Sequence, residues 1–382
     1  MHSNILLNWE DLGVKAETSV FQLDGKVGEC HAVLHVESRG EDFAGQYGRL
    51  CMAEGLLMAA PEFQGFKAVF KRYFLSDSCN QFPVIESMGG NSQCAVSFIQ
   101  QPPLDGSKVA VWIYLLRGTD VGMDGGVSVT EHNGYRNMWQ MGMCVDEGDS
   151  YTQTGKLLEM YEEGLEKCGA TIADNCIRTW FFVRDVDTQY GGLVKARREN
   201  FSRHGLTQDT HYISSTGIGG GPVSVKSLVQ MDSFSVVGLD PSQQRYLYAK
   251  SHLNPTYEYG VTFERGTLVE YGDRGHVFIS GTASIDNRGD VVHVGDVVSQ
   301  TRRMWENVET LLSEGGMDFS NVMQIIVYLR DVADYETVRR MFAEKFPDTP
   351  YVITLAPVCR PTWLIEMECM AVDGRTTEYR DY

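Results

Sequence analysis

The stretches HVFISGTASI (276–285) and VMQIIVYLRDV (322–332) carry the architecture of this chain. Both are rich in β-branched and aromatic residues, the composition of buried strands, and the first runs into a glycine turn. Between them, residues 296–314 place Met304, Val308, Leu311 and Leu312 at helical spacing, and Gly315–Gly316 stop that helix. A second helix is expected over 334–346. Two strands follow between Val352 and Val372, split by Cys359, Arg360 and Pro361.

The same order recurs upstream. A helix is predicted over about 150–168, with Leu157, Leu158, Tyr161 and Leu165 on one side and Gly169 at its end. The strand IRTWFFVRDV (177–186), a helix (188–204) and further strands to about 237 come next. Its VRDV nearly copies the LRDV at 329–332. The first third is more worn but keeps a helix at about 43–60 and the strands AVFKRYFLSD (68–77), CAVSFIQ (94–100) and VAVWIYLL (109–116), with a shrunken second helix. Gln46 and Asp77, Gln153 and Asp185, and Gln300 and Asp331 stand 31, 32 and 31 residues apart. A shared length between landmarks is the mark of a repeated unit. The units are expected at 1–120, 121–245 and 246–382. Each reads strands–helix–strand–helix–strands, which gives an α+β layer, a mixed sheet with two helices on one face. The bare faces of three such sheets can close on one another, so the chain is expected to form an intrachain pseudo-trimer.

Bulk composition narrows the function. A chain of 382 residues with 43% hydrophobic and 22% charged residues is an ordinary globular protein of two or three units. Its formal net charge of −18 repels phosphate backbones and anionic lipid, which argues against nucleic-acid and membrane partners. The N-terminus lacks the basic-then-apolar order of a signal peptide, and no apolar run is long enough to cross a bilayer. Nine cysteines without a CxxC pair suit free thiols in a reducing compartment, so a cytoplasmic location is expected. No histidine spacing suits a metal, and neither metal nor cofactor is expected.

The stretch GHVFISGTASIDNRGDVV, the helix of Gln300, VMQIIVYLRDVADYETVRRMFAEKFPDTPY and CRPTWLIEMECMAV together resemble the RidA (YjgF) superfamily over about 120 residues. The resemblance implies sites in clefts between units. Ordinary members hydrolyse enamines and imines and hold the substrate carboxylate with an Arg after the Pro that follows the second helix. Here that stretch is Pro350–Tyr351–Val352–Ile353, with Val352 at about the place of the Arg. The segment 359–366 resembles instead the active-site strand of the chorismatase branch, in which a Glu acts on the enolpyruvyl group. In members that form 3-hydroxybenzoate, a Cys seven residues earlier assists. Glu366 and Cys359 have that spacing. The stretches 215–220 and 259–265 are also similar to that branch.

Strand alternation puts Leu364, Glu366 and Glu368 on one face. Burial and mutual repulsion would leave one of the two carboxyls protonated near neutral pH and able to act as an acid. Solvated carboxylates on an outer strand are the alternative. The matching positions in the other units are Ala110 and Gln230, which implies one working cleft and two retired ones. Cys359 is a candidate hydrogen-bond donor, or a nucleophile if its pKa is lowered, and otherwise a small buried hydrophobe. Arg265 and Arg360 are candidate carboxylate clamps, and Arg184 and Arg330 are expected in structural ion pairs. Tyr259, Thr216, Gly217, Gly281 and Thr282 complete the expected substrate contacts, although the glycine-rich 215–221 stretch also reads as a mobile hairpin. The expected activity is a cofactor-free, chorismatase-like lyase or hydrolase acting on a small anionic enol ether. A divergent enamine/imine deaminase and a non-catalytic metabolite-binding protein stand as alternatives. The chain is expected to be a monomer or weak homo-oligomer.

Overall fold

A computed structural model describes residues 1–89 and 92–382. The first unit holds β1 (His2–Trp9), β2 (Val14–Phe21), β3 (Gly28–Val36), α1 (Phe43–Ala59), β4 (Phe66–Leu75), α2 (Ser78–Ser87), β5 (Ala95–Gln100) and β6 (Val109–Arg117). The second holds β7 (Val121–Asp124), β8 (Val127–His132), β9 (Tyr135–Cys144), α3 (Ser150–Glu166), the single turn α4 (Ile172–Asn175), β10 (Cys176–Val183), α5 (Val186–Arg203), β11 (Ser214–Gly219) and β12 (Val229–Val237). The third holds β13 (Gln244–Leu247), β14 (Gly266–Glu270), β15 (Arg274–Ala283), α6 (Val297–Glu314), β16 (Val322–Leu329), α7 (Tyr335–Lys345), β17 (Tyr351–Leu355) and β18 (Ile365–Gly374).

Each unit is a six-stranded sheet, in the orders β1-β2-β3-β6-β4-β5, β7-β8-β9-β12-β10-β11 and β13-β14-β15-β18-β16-β17. The strand flanking each second helix makes the one parallel pairing, β4–β5, β10–β11 or β16–β17. The fold is thus α+β, a triplicated mixed sheet with helices on one face.

The two faces of the sheet separate by alternation. In β6, Val109, Val111, Ile113 and Leu115 pack beneath the helices, whereas Ala110, Trp112, Tyr114 and Leu116 point to the shared centre. There Phe70 of the first unit meets Trp139 of the second at 4.8 Å, and Phe234 of the second meets Phe278 of the third at 5.4 Å. Burying this aromatic layer between three sheets is the hydrophobic reason the units close on each other.

The glutamine landmark has a physical cause. Asp42, Asp149 and Asp296 cap the first helix of each unit by accepting a backbone N–H one turn on. One turn inside, the side chains of Gln46, Gln153 and Gln300 accept the N–H of Lys108 (2.7 Å), Leu228 (2.7 Å) and Leu364 (2.9 Å). Each glutamine therefore anchors its helix to the entrance of the central strand. In the third unit that entrance lies two residues before Glu366.

The 215–221 stretch is no hairpin: Ser214–Gly219 is an edge strand parallel to β10, drawn into the sheet by its backbone hydrogen bonds. Arg184 is not ion-paired with an adjacent Asp. Its guanidinium caps the carbonyls of Pro222 (2.6 Å) and Ser224 (3.0 Å), while Arg330 pairs with Asp187 across the unit boundary at 2.5 Å. No helix among the described residues is long and apolar enough to cross a membrane.

Candidate active site

A cavity of about 290 Å³ opens between the second and third units. The second unit contributes Tyr190 and Arg197 from α5 and Ser215, Thr216 and Gly217 from β11. Tyr259, Phe263 and Arg265 come from the loop before β14, and Gly281 from the end of β15. Cys359, Arg360, Trp363 and Glu366 lead into β18.

Glu366 sits between Ala283 on β15 and Tyr328 on β16, 4% exposed. The matching cross-strand pairs are Gln230 with Phe182 and Ala110 with Phe74, so only the third unit keeps a carboxyl at this level. Burial first, and then the charge of Glu368, push the Glu366 carboxyl up to about 8, against the pull of Arg265 and Arg178. At neutral pH it is mostly a neutral acid facing the cavity. A bulge in β15 between Ile279 and Thr282 brings Gly281 over it. A Cβ on Gly281 would stand 2.0 Å from Glu366 Oε1, so any larger residue there would push the carboxyl from this position. Gly281 N–H is itself held by Thr216 Oγ1 at 2.9 Å.

Glu368 shares the face but not the cavity. It accepts from Arg178 (2.8 Å), from Trp180 Nε1 (2.7 Å) and from the Thr216 hydroxyl, and Arg72 of the first unit stands 3.9 Å away. Arg72 in turn is paired with Asp232 at 2.8 Å. This buried network joins all three units, and its Glu368 adds to the effect of burial on the Glu366 carboxyl.

Three guanidinium groups line the cavity, and two of them, Arg197 and Arg265, are buried with unpartnered donors among the described residues. Arg197, 1% exposed, spends one nitrogen on Ser215 Oγ at 3.2 Å, and its Nε and other terminal nitrogen have no partner among the described residues. Arg265 holds Asn254 O at 3.0 Å while its Nε has no partner among the described residues, and it packs 5.4 Å over the Tyr259 ring. The Tyr259 hydroxyl is likewise buried without a partner among the described residues. Unmet buried donors are disfavoured unless something else satisfies them, and an anionic ligand does so. Arg360, half-buried, covers the Tyr259 and Trp363 rings at 4.9 and 5.2 Å.

The structure brings together Glu366, Cys359, Arg265, Tyr259, Gly281, Thr216, Gly217 and Arg360. Two expectations need correction. Thr282 lies outside the cavity: alternation turns it away, and its hydroxyl donates to Ser280 O at 2.9 Å. Cys359 lines the cavity but lacks the lowered pKa that a thiolate nucleophile needs, because burial and the nearby Glu366 push its thiol up to about 12. Sequence reasoning missed Arg197 and Tyr190. A signal existed: Leu193, Arg197 and Phe201 fall on the buried stripe of α5, and an arginine inside such a stripe needs a purpose.

The Endoribonuclease L-PSP family profile matches residues 268–373. The 3-aminoacrylate deaminase RutC of Acinetobacter baylyi is 37% identical over 98 residues, which are 25% of this chain and 77% of the relative. The chain belongs to this RidA (YjgF) superfamily. The 3-hydroxybenzoate synthase of Streptomyces hygroscopicus is 30% identical over 214 residues, 50% of this chain and 62% of the relative. A chorismatase crystal structure superposes with a TM-score of 0.63 at 18% identity, covering 82% of this chain and 95% of the other, so the triplicated fold is shared.

Proposed function

We propose that the chain is a cofactor-free enzyme that cleaves the enolpyruvyl ether of chorismate, or of a similar anionic enol ether, and releases pyruvate. The observation that carries this reading is a buried Glu366 in one cavity with two buried guanidinium groups that each keep an unpartnered donor among the described residues. Chorismate has two carboxylates and a vinyl ether, which match the two buried cations and one acid. The similarity to a 3-hydroxybenzoate synthase and to a chorismatase fold supports the same substrate class.

In this mechanism Glu366 gives its proton to the terminal methylene carbon of the enol ether, leaving an oxocarbenium ion next to the carboxylate. Water adds to that cation and returns a proton to Glu366. The resulting hemiketal collapses, breaking the bond between the ketal carbon and the ring oxygen to give pyruvate and a ring alcohol. Arg197 and Arg265 hold the carboxylates, and the Cys359 thiol donates to the ring portion. Incubating the protein with chorismate and coupling pyruvate to lactate dehydrogenase tests the proposal. Steady turnover is expected, and no pyruvate with properly folded protein ends it.

An enamine deaminase is the second reading, favoured by the 37% identity to the Acinetobacter deaminase over 98 residues. Val352, where the resemblance places a carboxylate-binding Arg, is buried in β17 and opposes that reading. Ammonia release from 2-aminoacrylate without pyruvate release from chorismate would replace the first proposal.

Two consequences arise at once. Arg197→Met should raise KM for chorismate roughly tenfold to a hundredfold, the worth of one charged hydrogen-bonding group, with a smaller change in kcat. An unchanged KM removes Arg197 from substrate binding. Gly281→Ala should lower kcat by about a hundredfold, because the new methyl displaces the Glu366 carboxyl. The circular dichroism spectrum should stay that of the wild type, and an active, folded variant shows that the carboxyl works from elsewhere.

A further inference from the structure

A second, larger cavity of about 430 Å³ lies beneath α3 in the second unit and shares no residue with the Glu366 cavity. Its origin is visible by comparing the three units position by position. Gly164 stands fifteen residues after the helix cap Asp149, where the first and third units have the fully buried Leu57 and Leu311. A Cβ on Gly164 would meet nothing within 4 Å. On the sheet below, register sets Ser233 and Ser235 level with Ile113 and Leu115 of the first unit. The third unit has Cys369 and Ala371 at those levels, and Gln140 corresponds to Ala32 and Ile279.

Thus only the second unit has lost the leucine overhead and exchanged its apolar floor for hydroxyls and an amide. A helix-interior glycine is unfavourable relative to alanine, and a void beneath it forfeits packing as well. The floor is also not self-satisfied. Ser235 pairs with the Tyr161 hydroxyl, but Ser233 Oγ, in a residue 1% exposed, has no partner among the described residues. Cavities left empty are apolar, whereas a roomy cavity with an unmet buried hydroxyl is suited to an occupant that bonds to it.

The walls define that occupant. Val127, Val129 and Met138 of the sheet and Met160 and Leu165 of α3 make an apolar slot. At the mouth, Arg136 is paired with Glu131 (2.5 Å) and Asp124 (3.0 Å), and Lys167 also lines the cavity. We propose that this cavity is a binding site for a small hydroxyaromatic molecule, its ring in the slot and its hydroxyl on Ser233.

Fluorine NMR of meta-fluorophenol against the full-length protein tests the site. Low-millimolar or tighter binding is expected, with meta-fluorotoluene at least tenfold weaker. Gly164→Leu restores the leucine of the other units, so it should abolish this binding and raise the unfolding midpoint. Ser233→Ala keeps the space but should erase the preference for the phenol over the toluene. Binding should persist in Glu366→Gln, whose cavity is elsewhere. Undetectable phenol binding in the wild type, equal binding in Gly164→Leu, or an undiminished phenol preference in Ser233→Ala each overturns the proposal and leaves a water-filled packing defect.

Discussion

Glu366→Gln should lower pyruvate release from chorismate by roughly 10²–10⁴-fold, the usual weight of a general acid. The amide matches the carboxylic acid in shape but gives no proton to carbon. The wild-type rate should hold through neutral pH and fall as pH rises past about 8, where the buried acid ionises. The variant's residual rate should lack that limb. Stability carries the same signature. The folded carboxyl keeps a proton that the unfolded one releases at about 4.5, so wild-type stability declines as pH rises between about 4.5 and about 8. Gln does not titrate, so the variant's unfolding midpoint should gain on the wild type across that window and keep a constant lead above it. Equal pyruvate release from the two proteins would remove Glu366 from the chemistry.

Much of this arrangement was legible because the repeated unit reuses local devices. The Asp cap and the Gln one turn later mark each first helix because the glutamine side chain reaches the central strand, a contact internal to every unit. The matching of Glu366 with Gln230 and Ala110 was readable for the same reason: alternation and strand length fix the level of a residue without knowledge of its neighbours. What the sequence hid lies between units. Arg197 enters the cavity from the helix of another repeat, and no spacing within the third unit refers to it. Thr282 was misjudged because a bulge just before it shifts the alternation by one residue, and a bulge is set by the partner strand as much as by the bulged one. The separate fates of Glu366 and Glu368, one facing a cavity and one facing Arg178, likewise depend on which side chains of the second unit stand opposite them.

That division of labour gives the second large effect. Glu368→Gln keeps the shape of the side chain but strips a buried arginine of its counter-charge. Breaking a buried pair from one side typically destabilises by about 3–5 kcal/mol, because the remaining charge stays desolvated. Here the loss should be read as a lower midpoint in denaturant for the whole chain, since Arg178 belongs to the second unit, Glu368 to the third, and Arg72 of the first unit stands close by. Gln at this position should also reach the active cavity without touching it. The charge of Glu368 is the second-largest cause raising the Glu366 carboxyl, while Arg178 lowers it. Removing the anion and leaving the cation must therefore favour ionised Glu366 on both counts. The alkaline limb of the pyruvate-release profile should move to lower pH, and the rate at neutral pH should fall as the acid form is depleted. A merely structural residue would lower the denaturation midpoint and leave the limb where it is in the surviving folded protein. That result would show that the proton on Glu366 is held by burial alone.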